Sequence, residues 1–312
     1  MNDNPLFVFS AHRARSTLLM RVLNCHPGLV VWGEHGGILN NIAEIDNISR
    51  RFGPPLTAPL AERGLGEFIR WQTPIDFSPW RSPVSSDSLR ASMRDWIIRT
   101  FRTGVAPEQR WGTKEIRYGG TAITQFLREL FPACQFLVLR QDLTELCISN
   151  ILAPWSADDL RALGTFTDPA EAEAVVADCA YALAAVDWRL QQTLDVAGST
   201  AMCIRSEDSA NMADGIFAFL NLPLTQAIRD AITAVMERRV GQTDKGQSIG
   251  ALNRDSIRQW AEKYIPAAQH EIAKNGLDRT RLMGQGGRGR YCFLAGDHAM
   301  RGSGRTSMGW VL

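Results

Sequence analysis

Short apolar runs that stop at polar or charged residues recur along this chain, and each predicts a buried strand. The first run, Leu6 to Phe9, passes through a polar loop into Ser16 and Thr17, after which apolar residues recur at helical spacing. The opening helix is predicted to end near Asn24, before Pro27 and Gly28. The predicted strands cover residues 6–9, 29–32, 110–115, 135–139 and 201–204.

Amphipathic segments separate these runs and predict the helices between the strands. Strands that alternate with helices favour a parallel sheet with helices on both faces, so we expect an α/β, three-layer, P-loop-like fold with a central, mainly parallel sheet. The predicted helices after the first cover residues 36–48, 60–71, 88–101, 122–131, 143–148, 169–194, 208–220, 224–237 and 256–274.

A charged residue lies just after each apolar run. In an open α/β sheet, ligands bind beyond the carboxyl ends of the strands. A single sheet would therefore bring these residues to one edge, where they predict a binding site. They are Arg13, Glu34, Lys114, Arg140 and Arg205.

The loop between the first strand and the first helix is a predicted anion site. The first N–H groups of a helix have no acceptor inside it, and the helix dipole adds partial positive charge there. Arg13, Arg15, Ser16 and Thr17 add cationic and hydroxyl donors at the same place. A helix start with surface arginines is the alternative interpretation of this segment.

The loop is not a Walker A motif, because it has neither that motif's glycines nor its lysine. A kinase or ATPase would also tend to close a buried strand with an Asp that holds magnesium, whereas the strand before Arg140 closes with that arginine. No histidine pair has ligand spacing on a helix. We therefore expect an anion site without a metal.

Composition limits the class of protein further. The chain has 312 residues, 45% of them hydrophobic and 21% charged, which is typical of a globular protein. A net charge of +1 gives no overall basic field for nucleic acid. Six scattered cysteines without a C-x-x-C pair indicate reduced thiols and a cytoplasmic protein, and neither a signal peptide nor a membrane span is expected.

The domain organisation follows from composition along the chain. Residues 1–283 are predicted to form a single domain, and residues 284–312, rich in Gly and Arg, are predicted to form a tail. Residues 52–87, rich in Pro, Gly, Ser and Trp, are interpreted as an insertion on the substrate side. Trp71 and Trp80 of that insertion suit an apolar or sugar-stacking wall.

Phe131-Pro132 precedes the strand that Arg140 closes, and Ser149 follows Arg140 by nine residues. Together with the loop HRARSTLL (residues 12–19), these residues resemble the sulfotransferases that use 3′-phosphoadenosine 5′-phosphosulfate (PAPS). The stretch His12 to Leu19, HRARSTLL, is similar to that family's first loop, P-R-S-G-T-T-L-L. Phe131-Pro132, then Arg140 and Ser149 nine residues later, resemble its second signature, with the spacing of the trehalose sulfotransferase branch.

Three further segments extend the resemblance over roughly residues 5–222. The stretch LLMRVLNCHP (18–27) with Gly33-Glu34 is similar to the corresponding segment of tyrosylprotein sulfotransferases. Gly112-Thr113-Lys114 resembles the strand that carries the family's lysine. Residues 204–208 resemble the family's R-Y-E-D-L segment.

The resemblance implies a role for each matching residue. Glu34 would be the general base, Lys114 would meet the sulfuryl group, and Arg13 would stabilise developing charge. Three more positions are predicted substrate contacts: His35, which is also a second candidate base, Trp71 and Trp80. The predicted nucleotide-binding residues are Arg13, Ala14, Arg15, Ser16 and Thr17 for the 5′-phosphosulfate, Arg140 and Ser149 for the 3′-phosphate, and Arg205.

The chain departs from the family pattern at three positions. Arg15 stands where the family keeps a glycine, His12 replaces a proline, and Ser206 replaces a tyrosine that in relatives lies by the adenine. The predicted reaction is transfer of a sulfuryl group to an acceptor hydroxyl of a carbohydrate, a lipid or a small natural product, with a homodimer left open. The alternatives are a non-catalytic member of the fold and a divergent, kinase-like P-loop nucleotide-binding protein.

Overall fold

A five-stranded, all-parallel sheet forms the centre of the fold, in the order β2-β3-β1-β4-β5. The computed structural model describes residues 4–52, 86–153, 160, 165–206, 213–238 and 248–277. The strands are β1 (Leu6–Ser10), β2 (Leu29–Trp32), β3 (Arg110–Glu115), β4 (Gln135–Arg140) and β5 (Ala201–Arg205).

Helices connect the strands and flank the sheet, so the predicted α/β fold is confirmed. The described helices are α1 (Ser16–Leu23), α2 (Ile38–Phe52), α3 (Ser86–Phe101), α4 (Thr121–Leu130), α5 (Leu143–Ile151), α6 (Pro169–Ala197), α7 (Ala213–Phe219), α8 (Gln226–Glu237) and α9 (Arg254–Asn275). The helix predicted at residues 60–71 lies outside the described residues.

Strand β1 lies in the middle of the sheet because both of its faces are apolar, and all five of its residues are buried. On one face, Phe7 packs edge-on against Trp111, with ring centroids 6.1 Å apart, and lies 5.6 Å from the ring of Phe136. Gly112 permits the close approach of β3, since a Cβ there would lie 2.5 Å from the carbonyl oxygen of Leu6. Truncating Phe7 to Ala would cost about 3–5 kcal/mol.

A second apolar cluster joins helix α1 to helices α7 and α8. Val22 of α1 packs with Phe217, Ile228 and Ile232 in this cluster. Burying such side chains stabilises the fold by about 1.5–3 kcal/mol each. The packing fixes the direction of α1, and therefore the position of the loop at its N-terminal end.

The described residues fall into two compact units. One lies within Met1–Asp142 and Val186–Lys245 and contains the whole sheet; the other lies within Leu143–Ala185 and Gly246–Leu312. In the second unit, α5 packs on α9, and Glu145 of α5 accepts hydrogen bonds from two arginines of α9 at 2.8 and 2.6 Å. The single domain over residues 1–283 stays a prediction.

Two predicted segments fall on residues that the structure leaves undescribed. Residues 53–85, most of the predicted insertion 52–87, and the predicted tail 284–312 lie outside the described ranges. Among the described helices, none is long and apolar enough to cross a bilayer.

Candidate active site

The loop from Ala11 to Arg15 turns the chain sharply from β1 into α1. Arg13 and Arg15 both have φ of 63°, in the left-handed region, and Arg15 is the N-cap residue of α1. Side chains in this region cost roughly 1–2 kcal/mol per residue. Backbone strain of this kind is found at functional sites, where the surrounding structure maintains it.

The loop presents cations and N–H groups at the same place. Arg13, Arg15 and Thr17 are exposed, whereas Ala14 and Ser16 are buried beneath them. The first N–H groups of α1 have no acceptor within the helix, and its dipole is positive there. The predicted loop residues are therefore brought together in an arrangement that suits an anion.

Ser10, the last residue of β1, gives an independent test of that arrangement. Its side chain is fully buried, and its Oγ has no hydrogen-bond partner among the described residues. An unpaired buried hydroxyl costs about 1–3 kcal/mol. A hydroxyl donor left unsatisfied directly before the loop fits a site that receives an anionic group.

Glu34 and Lys114 meet at the carboxyl ends of the adjacent strands β2 and β3. Lys114 Nζ donates to Glu34 Oε1 at 2.5 Å, and Arg117 Nη1 lies 3.4 Å from Glu34 Oε2. The Lys114 side chain is 3% exposed and that of Glu34 is 36% exposed. The structure thus brings the predicted base and the predicted lysine together, with the carboxylate open to solvent.

Glu115, which the sequence analysis did not select, is the buried carboxylate beneath this pair. Its Oε2 accepts from the backbone N–H of Gly37 at 2.9 Å and of His35 at 3.1 Å, and its Oε1 accepts from Arg117 Nη1 at 2.7 Å. Burial acts to raise the pKa of Glu115, but these hydrogen bonds and the Arg117 charge bring it below its ordinary value. Glu115 is therefore ionised at neutral pH.

His35, a predicted substrate contact or second base, is tied into the protein. Its Nε2 lies 2.5 Å from Tyr118 Oη, and its ring packs against Phe101 at a centroid distance of 4.7 Å. Burial lowers the pKa of His35, although the Glu115 carboxylate acts against this shift. The imidazole is neutral at pH 7, and its role toward a substrate stays a prediction.

His12, noted from the sequence only as a replacement for the family's proline, was not predicted as a site residue. It is half-buried at the start of the loop, and burial lowers its pKa. The Glu34 carboxylate raises that pKa, while the charges of Arg117, Lys114 and Arg13 lower it further. Its position in the sequence, in a loop with two arginines, could have indicated that His12 lies near the site.

Arg140 ends β4 and pairs in register with Arg205 at the end of β5. Asp187 of α6 binds the Arg140 guanidinium through both carboxylate oxygens, at 2.8 and 2.6 Å, and Gln191 accepts from Nη1 at 2.8 Å. Burial lowers the pKa of Arg140, but Asp187 outweighs burial and raises it. A guanidinium carries five N–H groups, so N–H groups remain beyond these three bonds.

The remaining predicted residues lie outside the sheet-containing unit or outside the described residues. Ser149 lies in α5, in the unit that does not contain the sheet. Trp71 and Trp80 fall outside the described residues. Across the ranges that the structure covers, no group of three or more His, Cys, Asp or Glu side chains is placed to hold a metal ion.

Comparison with known proteins places sulfotransferases among the similar solved structures. No protein-family model matches the chain. No curated protein matches it either. A sulfotransferase from Alicyclobacillus acidocaldarius is 16% identical over 76% of this chain and 93% of its own, with a TM-score of 0.43.

Two further structures give likenesses of the same order. Sulfotransferase STF9 from Mycobacterium avium is 14% identical over 88% of this chain and 77% of its own, with a TM-score of 0.45. Mouse sulfotransferase SULT7A1, complexed with PAP, is 9% identical over 88% and 82%, with a TM-score of 0.39. All three structures carry the name sulfotransferase, the class of enzyme that the motifs of this chain resemble.

Proposed function

We propose that this protein is a PAPS-dependent sulfotransferase, which moves a sulfuryl group to the hydroxyl of a small molecule or glycan. The observation that carries the proposal is the contact between Lys114 Nζ and Glu34 Oε1 beside a cationic loop at the start of α1. A buried cation and a solvent-accessible carboxylate at one sheet edge supply charge stabilisation and a proton acceptor together.

The loop residues would hold the 5′-phosphosulfate end of the nucleotide. Arg13 and Arg15 offer charge, Ser16 and Thr17 offer hydroxyls, and Ala14 brings its backbone close without a bulky side chain. When bound, PAPS supplies the sulfuryl group and the nucleotide that leaves. Arg140 and Arg205, side by side at the ends of β4 and β5, would hold the 3′-phosphate, and Ser149 is retained as a predicted third contact.

Glu34 would take the proton of the attacking hydroxyl. Its carboxylate is exposed enough to meet an acceptor, and both of its oxygens face cations that fix its orientation. Lys114 is anchored in β3 and would stabilise negative charge as it develops on the leaving oxygen. A positioned base of this kind contributes about 10²–10⁴-fold to the rate.

A direct assay tests the proposal. Purified protein is incubated with PAPS and a panel of sugars, lipids and phenolic natural products, and sulfated products and PAP are measured by mass spectrometry. Calorimetry compares PAP with ATP in the presence of magnesium. PAP binding with acceptor-dependent turnover supports the proposal.

Two other results would overturn it. PAP binding without turnover on any acceptor, and without PAPS hydrolysis, would identify a non-catalytic nucleotide-binding protein. Magnesium-dependent ATP binding in preference to PAP would favour the kinase-like alternative.

The same proposal includes a cytoplasmic location and catalysis that needs no metal ion. The described cysteines are all free thiols, as in a reducing compartment. Activity measured in EDTA tests the second part, since a metal-dependent transferase would lose its turnover there.

A further inference from the structure

The buried carboxylate of Glu115 connects three parts of the candidate site. It is fully buried, yet it accepts hydrogen bonds from five N–H groups. Its Oε2 holds the backbone of His35 and Gly37, directly after Glu34. Its Oε1 holds the side chain of Arg117.

Arg117 links the Glu115 carboxylate to the carboxylate of Glu34, the proposed base. Its Nη1 lies 2.7 Å from Glu115 Oε1 and 3.4 Å from Glu34 Oε2. Glu34 is thus fixed twice by Glu115: through the backbone that follows it, and through the guanidinium that faces its second oxygen. Lys114, the residue before Glu115 in β3, binds the other oxygen at 2.5 Å.

We propose that Glu115 is the positioning residue of this site, which sets the orientation of Glu34 by holding the turn at residues 35–37 and the Arg117 side chain. The proposal rests on the proposed function, in which Glu34 is the base. Glu115 itself does not touch the substrate.

Only a carboxylate meets the demands of this position. Two acceptor oxygens receive all five N–H groups, whereas a glutamine would offer one acceptor oxygen and two additional donors. An amide nitrogen in the place of Oε2 would face the N–H groups of His35 and Gly37, and in the place of Oε1 it would face Arg117. Either orientation releases one of the two connections to Glu34.

Asp46, a second buried carboxylate among the described residues of the sheet-containing unit, provides a matched control. Asp46 of α2 is 2% exposed and accepts from the Nε atoms of Arg50 and Arg90, each at 2.8 Å. Asp46→Asn makes the same chemical change as Glu115→Gln in a carboxylate that also binds arginine. It alters no residue that contacts Glu34 in the described structure.

The experiment compares Glu115→Gln, Glu34→Gln, the double variant and Asp46→Asn. Three quantities are measured: kcat with PAPS, the Kd for PAP by calorimetry, and amide hydrogen exchange at His35 and Gly37 by NMR. Misplacing a reacting group by about 1 Å can cost about 10²-fold in rate. We therefore expect Glu115→Gln to lower kcat about 10–100-fold, to leave the Kd for PAP within about twofold, and to speed exchange at both amides.

Non-additivity separates positioning from a general loss of stability. If Glu115 acts through Glu34, the double variant has the kcat of Glu34→Gln alone. Asp46→Asn lowers stability but keeps kcat and the exchange rates at His35 and Gly37. Arg117→Met, at a partly exposed side chain, reproduces part of the kcat loss if Glu115→Gln fails to fold.

Several results would overturn the proposal. Normal kcat in Glu115→Gln, fully additive losses in the double variant, or unchanged exchange at His35 and Gly37 would each do so. Failure of the proposed function looks different, because the wild type would then turn over no PAPS. The exchange rates would still decide whether Glu115 holds the turn.

Discussion

At the scale of single residues, the chemistry of this site depends on how Glu34 is shared between two cations. Lys114 binds one carboxylate oxygen and Arg117 faces the other. In the proposed reaction, an acceptor hydroxyl therefore approaches a carboxylate that is already oriented. The exposed fraction of Glu34, 36%, leaves room for that approach.

Glu34→Gln keeps the shape of the side chain but removes the proposed proton acceptor. We expect kcat to fall about 10²–10⁴-fold, as for loss of a general base, with the Kd for PAP within about threefold of the wild type. Initial rates and calorimetry measure the two quantities. Glu44→Gln, at an exposed carboxylate of α2, is the control. Near-normal turnover would assign the base elsewhere, with His35 the first residue to examine.

Arg15 combines a backbone constraint with a charge, and two substitutions separate them. Arg15→Ala removes the charge and keeps the strained φ, whereas Arg15→Gly also relieves the strain. We expect the glycine variant to be more stable than the alanine variant by about 0.5–1 kcal/mol in urea unfolding. Both should bind PAP about tenfold more weakly if Arg15 contacts the anion. Unchanged affinity in both would show that Arg15 only shapes the loop.

Some residues of the site were predictable from the sequence and others were not. Arg13, Glu34, Lys114 and Arg140 follow apolar runs, so the parallel sheet gathers them at one edge. Glu115 could not be predicted as a site residue, because the sequence alone suggests an exposed carboxylate at the end of a strand. Its burial depends on five N–H partners that only the structure shows. For the same reason the left-handed backbone of Arg13 gave no signal, since φ depends on the loop that surrounds it.

At the scale of elements, the ion pair between β4 and α6 is the feature that the sequence did not indicate. Asp187 and Gln191 lie four residues apart on α6, so they share one helix face and reach Arg140 together. The sequence predicted Arg140 as a phosphate contact and gave no indication of its partner on α6. The structure adds a carboxylate that orients the guanidinium before any ligand arrives.

Arg140→Ala should weaken binding of the 3′-phosphate and also lower the stability of the protein. We expect the Kd for PAP to rise at least about tenfold, whereas the Kd for 5′-AMP, which lacks the 3′-phosphate, should change little. The free energy of unfolding should also fall, because Asp187, 14% exposed, loses its partner. Arg99→Ala, at an exposed arginine of α3, controls for the lost charge. Equal losses for PAP and 5′-AMP would remove Arg140 from the 3′-phosphate site.

At the scale of the whole molecule, three titratable groups make stability depend on pH in the same direction. The pKa values of His12 and His35 lie below the ordinary 6.5, and that of Glu115 lies below the ordinary 4.5. In each case the unfolded chain binds the proton more tightly than the folded one. Stability is therefore greatest above pH 6.5 and falls as the pH decreases.

Urea unfolding between pH 8 and pH 3 measures this dependence. We expect the free energy of unfolding to begin falling near pH 6.5, through the histidines, and to fall again below about pH 4.5, through Glu115. Glu115→Gln should flatten the lower part of the curve and leave the upper decline in place. A curve that is flat or rises toward low pH would contradict the buried, paired state of these groups.

The central position of β1 also governs how the chain reaches its fold. Leu6 pairs with Gly112 and with Gln135, so both neighbours of β1 come more than about a hundred residues later in the chain. Such long-range pairing slows folding and leaves apolar strands exposed while it is incomplete. During synthesis, the apolar strand β1 cannot pair until β3 and β4 have been made. The loop at the start of α1 therefore takes shape only after most of the sheet has emerged, so under the proposed function a nucleotide binds only chains that have completed the sheet.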